Sequence, residues 1–147
     1  MFTLYFFGPI IERTLGSGGS LLLYFGAELA AHGFSLYLHR NNPSYAAIGA
    51  SGAVSGVVFS FCMFAPFESL YLFFIPVPIP AILFAVIYVL GSIYAMKSSR
   101  DQGITGGIAH EAHIGGAIGG VLLTILLEPR VVGHFVRQIG DWVGTFS

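Results

Sequence analysis

Long apolar stretches broken by short polar segments run the length of the chain, and their spacing predicts membrane-crossing helices. Residues 1–11 are apolar, and the run of about eleven is roughly half of what a crossing needs. Glu12-Arg13 ends it, and Gly8, Glu12 and Gly16 recur along one side at helical spacing, so it reads as part of a helix. Gly16-Ser17-Gly18-Gly19 predicts a loop by its turn chemistry. Residues 20–38 predict the next crossing, 39–45 a polar loop around Asn41-Asn42-Pro43, and 46–64 a further crossing. Residues 65–78 are apolar but carry Pro66, Glu68, Pro76 and Pro78, which predicts a connection lying along the membrane interface. Pro80 suits the first turn of a helix, where its missing N–H costs nothing, and that helix should reach Met96. A polar loop at 97–107 and a last crossing at 108–127, stopped by Glu128-Pro129, complete the pattern. In the tail, Val132, Phe135, Val136, Ile139 and Val143 fall at helical spacing beside Arg137 and Trp142, as in an interfacial helix. The expected fold is all-α: a polytopic membrane bundle of four full transmembrane helices plus a partial first one. Residues 1–128 would form the membrane domain and 129–147 the interfacial tail.

Composition supports that solvent assignment. Of the 147 residues, 55% are hydrophobic and 9% charged, and the mean hydropathy is +0.81. A soluble domain carries about a quarter charged residues. The net charge of −1 gives no reason to expect nucleic acid. Cys62 is the single cysteine, which excludes an internal disulfide framework and reads as a packing residue. The first apolar run lacks a basic leader and a small-residue cleavage site, so it does not read as a signal peptide. Arg13, Arg130 and Arg137 fall on one side and Arg40, Lys97 and Arg100 on the other, an even split that leaves orientation open.

Candidate chemistry centres on Ser51 and His113. Their helices are separated by one intervening crossing, so they run parallel and begin on the same side. Each residue lies five positions into its predicted helix, so at 1.5 Å per residue both sit about 8 Å below one surface. Gly52 and Gly56 follow the serine, and Gly115, Gly116, Gly119 and Gly120 follow the histidine. Such small faces let two helix backbones approach closely in lipid. A neutral imidazole can then take the hydroxyl proton, activate the serine as nucleophile and return the proton to a leaving amine. Backbone N–H groups at the helix start, that of Ser51 among them, could hold an oxyanion.

Other polar residues compete with this pair for a chemical role. Glu111 lies two residues from His113, roughly 200° around a helix, so it should point elsewhere and leave a dyad. His110-Glu111-Ala112-His113 places its histidines three apart rather than the four of a zinc-protease helix, and no metal is expected. Glu28 and His32 share one helix face, either as a pair bracing the bundle or as a functional intramembrane pair. A small transporter using them as a proton relay is a rival reading. Ser55 and Ser60 read as packing residues, Glu12 as a cap, and His39 and His134 as residues with no constellation around them.

Together these residues resemble the rhomboid family of intramembrane serine proteases. Gly49-Ala50-Ser51-Gly52 corresponds to the family's GxSG, and Ala112-His113-Ile114-Gly115-Gly116 with Gly120 to its AHxxGxxxG. Phe7-Gly8-Pro9-Ile10-Ile11-Glu12-Arg13-Thr14-Leu15-Gly16 looks like the end of the family's second transmembrane helix. The resemblance covers residues 1–128. It implies that Ser51 is the nucleophile and His113 the general base, with Gly49 beside the oxyanion site and Gly52 and Gly116 in the close packing. Transmembrane protein substrates would be cleaved near the extracytoplasmic or lumenal face, without a cofactor. Arg13 and the tail would be cytoplasmic, and Arg40 and Lys97 outside.

Two departures qualify the resemblance. The family's second helix opens with a histidine and an asparagine that stabilise the oxyanion, and here that stretch would precede Met1. The expectation is a rhomboid lacking its N-terminal third, weak or inactive as given and active when extended upstream. Some members also carry an aromatic residue four after the serine, stacked on the histidine; here Ser55 stands there, so His113 must be held otherwise. The alternative is a rhomboid-like pseudoprotease that binds membrane clients without cutting them, although such families generally lose the serine or histidine. A multi-pass protein of a bacterial plasma membrane is the expected setting.

Overall fold

The structure, a computed structural model, describes residues 2–42, 50–72, 75–101 and 110–145. Among these the chain forms α1 (Phe2–Leu38), α2 (Ser51–Phe64), β1 (Ser69–Leu72), β2 (Ile75–Pro80), α3 (Ala81–Asp101), α4 (His110–Leu127) and α5 (Arg130–Gly144). The all-α membrane bundle is therefore present, with one small antiparallel hairpin added.

Helix α1 is two helical segments, 2–15 and 17–38, joined at Gly16 (φ 73°, ψ 167°). Only glycine reaches that backbone conformation without strain. Leu4 and Tyr24 line one cavity, whereas a straight helix would hold them about 30 Å apart, so the chain turns back at Gly16. The predicted four-residue loop thus shrinks to a single residue, and Ser17, Gly18 and Gly19 are already helical. Across the break, Ser17 Oγ donates to Glu12 Oε1 at 2.6 Å.

Helix α2 sits at the centre. Its buried face includes Ala53, Gly56, Val57, Ser60 and Phe61, enclosed by both segments of α1 and by α4. The α2–α4 seam repeats every four residues. A Cβ on Gly116 would fall on the Gly52 backbone, a Cβ on Gly120 would fall on the Gly56 backbone, and Thr124 Oγ1 lies 2.7 Å from Ser60 Oγ. The constant offset shows two parallel helices in register, packed backbone to backbone through small residues. On its other side α2 meets α1, where Ala31 and Ala27 fill the space beside Gly52 and Gly56.

Many outward-facing side chains are large and apolar. Leu22, Phe25 and Leu29 on α1, Val86 and Leu90 on α3, and Leu122 and Leu126 on α4 are all exposed. Lipid, not water, is the solvent that such a surface fits. The second segment of α1 and helix α4 are long and apolar enough to cross a membrane, while α2 and residues 81–94 form shorter apolar helices.

The connection after α2 is more ordered than its composition suggests. Strands β1 and β2 pair antiparallel, with Ser69 opposite Pro80 and Leu70 opposite Ile79. Three prolines fit β2 because a two-stranded ribbon consists of edges only. Pro80 therefore ends a strand instead of opening a helix, and α3 continues past the predicted end at Met96 to Asp101. The tail forms α5, tied to the end of α2: His134 Nε2 and Gln138 Nε2 lie 3.1 and 3.0 Å from the Phe64 carbonyl oxygen, and Trp142 stacks on Phe67. Val132, Val136 and Val143 remain exposed along it.

Candidate active site

Ser51 is the first residue of α2 and His113 the fourth of α4, so both stand at the same end of two parallel helices. Ser51 is not five residues deep, because Ala50 before it is a turn, while the predicted start of the His113 helix at residue 108 lies outside the described residues. Gly49 lies outside the described part. Ser51 is exposed and His113 half-buried. The two line one cavity of about 460 Å³, with Tyr24, Val54, Phe59 and Phe84 among the apolar walls. Among the described residues, no hydrogen bond joins Ser51 Oγ to the imidazole. In enzymes without bound substrate such bonds are often long and tighten only on binding.

The histidine is held by a residue that sequence reasoning missed. Tyr88 of α3 places its ring 5.7 Å from the His113 ring, with 34° between the planes. Phe59 and Phe84 flank Tyr88, each with its ring centre 5.8 Å away. Ser55 Oγ lies 2.9 Å from the Ser51 carbonyl and 2.7 Å from the Tyr88 hydroxyl. A serine has one proton to give. Ser55 donates it to the carbonyl, so Tyr88 donates to Ser55. Ser55 is thus more than the packing residue expected; it ties the Tyr88 ring to the Ser51 turn. The one signal for this in the sequence was negative, a serine where an aromatic residue could stand. Nothing in the spacing pointed to Tyr88.

The remaining polar residues form two groups outside the cavity. His39 Nε2 lies 2.7 Å from Glu111 Oε1, joining the end of α1 to the start of α4. Glu111 does turn away from His113, but His39 is not the isolated loop residue expected. Glu28 Oε2 accepts a hydrogen bond of 2.8 Å from the Ala53 N–H, and His32 Nδ1 lies 3.0 Å from the Glu28 carbonyl oxygen and 3.4 Å from Oε1. His110 stands edge-on to His113, 6.0 Å between ring centres. Among the described residues, no three His, Cys, Asp or Glu side chains gather as a metal ion would require.

Chemically, the arrangement offers a hydroxyl at a helix N-terminus, an imidazole on the facing helix, and an apolar chamber between them. Comparison with known proteins leads in the same direction. The family model for the Rhomboid domain matches residues 1–130. The chain is similar to RHOMBOID-like protein 12, mitochondrial, of Arabidopsis thaliana, at 31% identity over 132 residues, 80% of this chain and 38% of that protein. It is also similar to Rhomboid protein 1, mitochondrial, of Saccharomyces cerevisiae, at 32% identity over 148 aligned residues, 97% of this chain and 41% of that protein. The chain thus spans about two fifths of the length of these relatives. Both relatives are named mitochondrial, so they lend the expected bacterial plasma membrane no support. No solved structure matches the chain. With the Rhomboid domain matched over most of its length and its apolar helices packed as a membrane bundle, the chain is an integral membrane protein of the rhomboid family.

Proposed function

We propose that the protein is an intramembrane serine endopeptidase in which Ser51 is the nucleophile and His113 the general base. The observation that carries this reading is the shared cavity: two parallel helices present a hydroxyl and an imidazole to the same chamber. As Ser51 Oγ attacks the scissile carbonyl, His113 takes the hydroxyl proton. The carbonyl oxygen becomes an oxyanion, which the Ser51 N–H at the positive end of α2 is oriented to stabilise. When the C–N bond breaks, the imidazolium returns its proton to the leaving amine and an ester to Ser51 remains. Water, deprotonated by His113, then attacks the ester, and as the C–O bond to Ser51 breaks the imidazolium returns the proton to Ser51 Oγ and the acid leaves.

Substrates would be transmembrane segments of other proteins, cut near the membrane face where α2 and α4 begin. The test is cleavage of a model transmembrane substrate in liposomes by the protein expressed from its full natural reading frame. The reading expects two products whose formation stops with Ser51→Ala and falls by several orders of magnitude with His113→Ala. Binding of the substrate without cleavage would replace it with the pseudoprotease reading.

A further inference from the structure

The helix that carries Ser51 has no cap of its own. Its first four N–H groups lack partners within the helix, and the residue at the capping position is Ala50, which has no side-chain oxygen. The Val54 N–H is taken by the Ala50 carbonyl at 3.1 Å. The Ala53 N–H is taken from another helix, by the Glu28 carboxylate of α1 at 2.8 Å. In a bilayer few other partners are available to such a group.

The surrounding residues make that reach possible. Ala27 and Ala31 of α1 lie against Gly56 and Gly52, so the two backbones run close together. The carboxylate passes beside the bare face of Gly52, where a Cβ would stand 3.6 Å from Glu28 Oε2. His32, one turn further along α1, places Nδ1 3.0 Å from the Glu28 carbonyl oxygen and 3.4 Å from the other carboxylate oxygen, Oε1. The sequence showed Glu28 and His32 on one face but not what that face meets.

We infer that Glu28 is a positioning residue for the nucleophile: it anchors the first turn of α2 through the Ala53 N–H and so fixes where Ser51 Oγ and the Ser51 N–H point. The inference rests on the protease reading above and goes beyond it, because Glu28 touches neither Ser51 nor His113 in the reaction. What matters on this account is an acceptor oxygen at the end of that side chain. Glutamine supplies one and alanine does not.

The experiment compares Glu28→Gln, Glu28→Ala and the parent protein in one detergent. A fluorophosphonate probe reacts with activated serines, and its concentration dependence separates the maximal rate of Ser51 modification from probe affinity. Amide hydrogen exchange at Ala53 is read on the same samples. For Glu28→Gln, a labelling rate within about threefold of the parent is expected; for Glu28→Ala, a fall of about 10- to 100-fold with probe affinity nearly unchanged. Exchange at Ala53 should quicken in Glu28→Ala while the amides of α4 stay protected.

Parental labelling and parental protection in Glu28→Ala would overturn the inference. So would Glu28→Gln behaving like Glu28→Ala, or a loss of protection spread evenly over all helices. If the parent itself takes no label, the protease reading fails. The exchange comparison then decides the anchor by itself: quickening at Ala53 upholds it, and unchanged protection overturns it.

Discussion

Tyr88 on α3 and Ser55 on α2 hold each other through their hydroxyls at 2.7 Å, and that bond stands the tyrosine ring beside His113. The imidazole of a general base must keep one orientation, and an aromatic neighbour limits its rotation. Ring contacts of this kind are worth about 0.5–1.5 kcal/mol, which corresponds to roughly 2- to 10-fold in rate. Tyr88→Ala should lower turnover by that factor or somewhat more. Tyr88→Phe keeps the ring and should lose less. Turnover of the two variants on the same substrate checks this, and equal losses would show that the hydroxyl alone matters.

Where Gly52 meets Gly116 and Gly56 meets Gly120, the seam between α2 and α4 leaves no room for side chains. Gly116→Ala would push a methyl group onto the Gly52 backbone, and overpacking of this sort costs about 1–3 kcal/mol. A lower thermal midpoint and a displaced Ser51 are the expected results. Gly91→Ala on α3 is the control, because a Cβ there meets nothing within 4 Å. It should leave the midpoint unchanged or raised.

About two turns further along the same seam, Ser60 and Thr124 are both buried and only 2.7 Å apart. Interhelical hydrogen bonds in membrane proteins average about 0.6 kcal/mol and reach about 1.7 kcal/mol. A double-mutant cycle of Ser60→Ala and Thr124→Val should give a coupling energy inside that range. A coupling of zero would mean that the two hydroxyls are neighbours without being partners.

This seam was the most legible part of the chain. Glycines four apart after both Ser51 and His113 predict two helices in close contact, and the count of crossings between them predicts parallel directions. Both conclusions come from local pattern and topology, which a single sequence carries. Tyr88 and Glu28 were not legible in the same way. Their roles depend on which residue of a different helix lies at their level, and nothing in either helix's own periodicity records that. The turn at Gly16 was only half legible: the glycine-rich stretch marked the place, but four turn-forming residues hid the fact that one suffices. The β1–β2 hairpin was masked by its prolines, which usually argue against a strand and are tolerated here because both strands are edges.

Gly16 gives a prediction of its own. At φ 73° any other residue is strained, at about 1–3 kcal/mol. Gly16→Ala should therefore destabilise the fold. Gly18→Ala, in regular helix with nothing within 4 Å of the new Cβ, should not. Denaturation midpoints of the two variants compared side by side test the assignment of the turn to a single residue.

The central claim is that His113 activates Ser51 and no other serine at this site. The most direct measurement is fluorophosphonate modification followed by mass-spectrometric location of the adduct, in the parent and in Ser51→Ala, Ser55→Ala and His113→Ala. The account predicts one adduct, on Ser51, that disappears in Ser51→Ala and His113→Ala and persists in Ser55→Ala. An adduct on Ser55, or labelling of Ser51 that does not depend on His113, would contradict it.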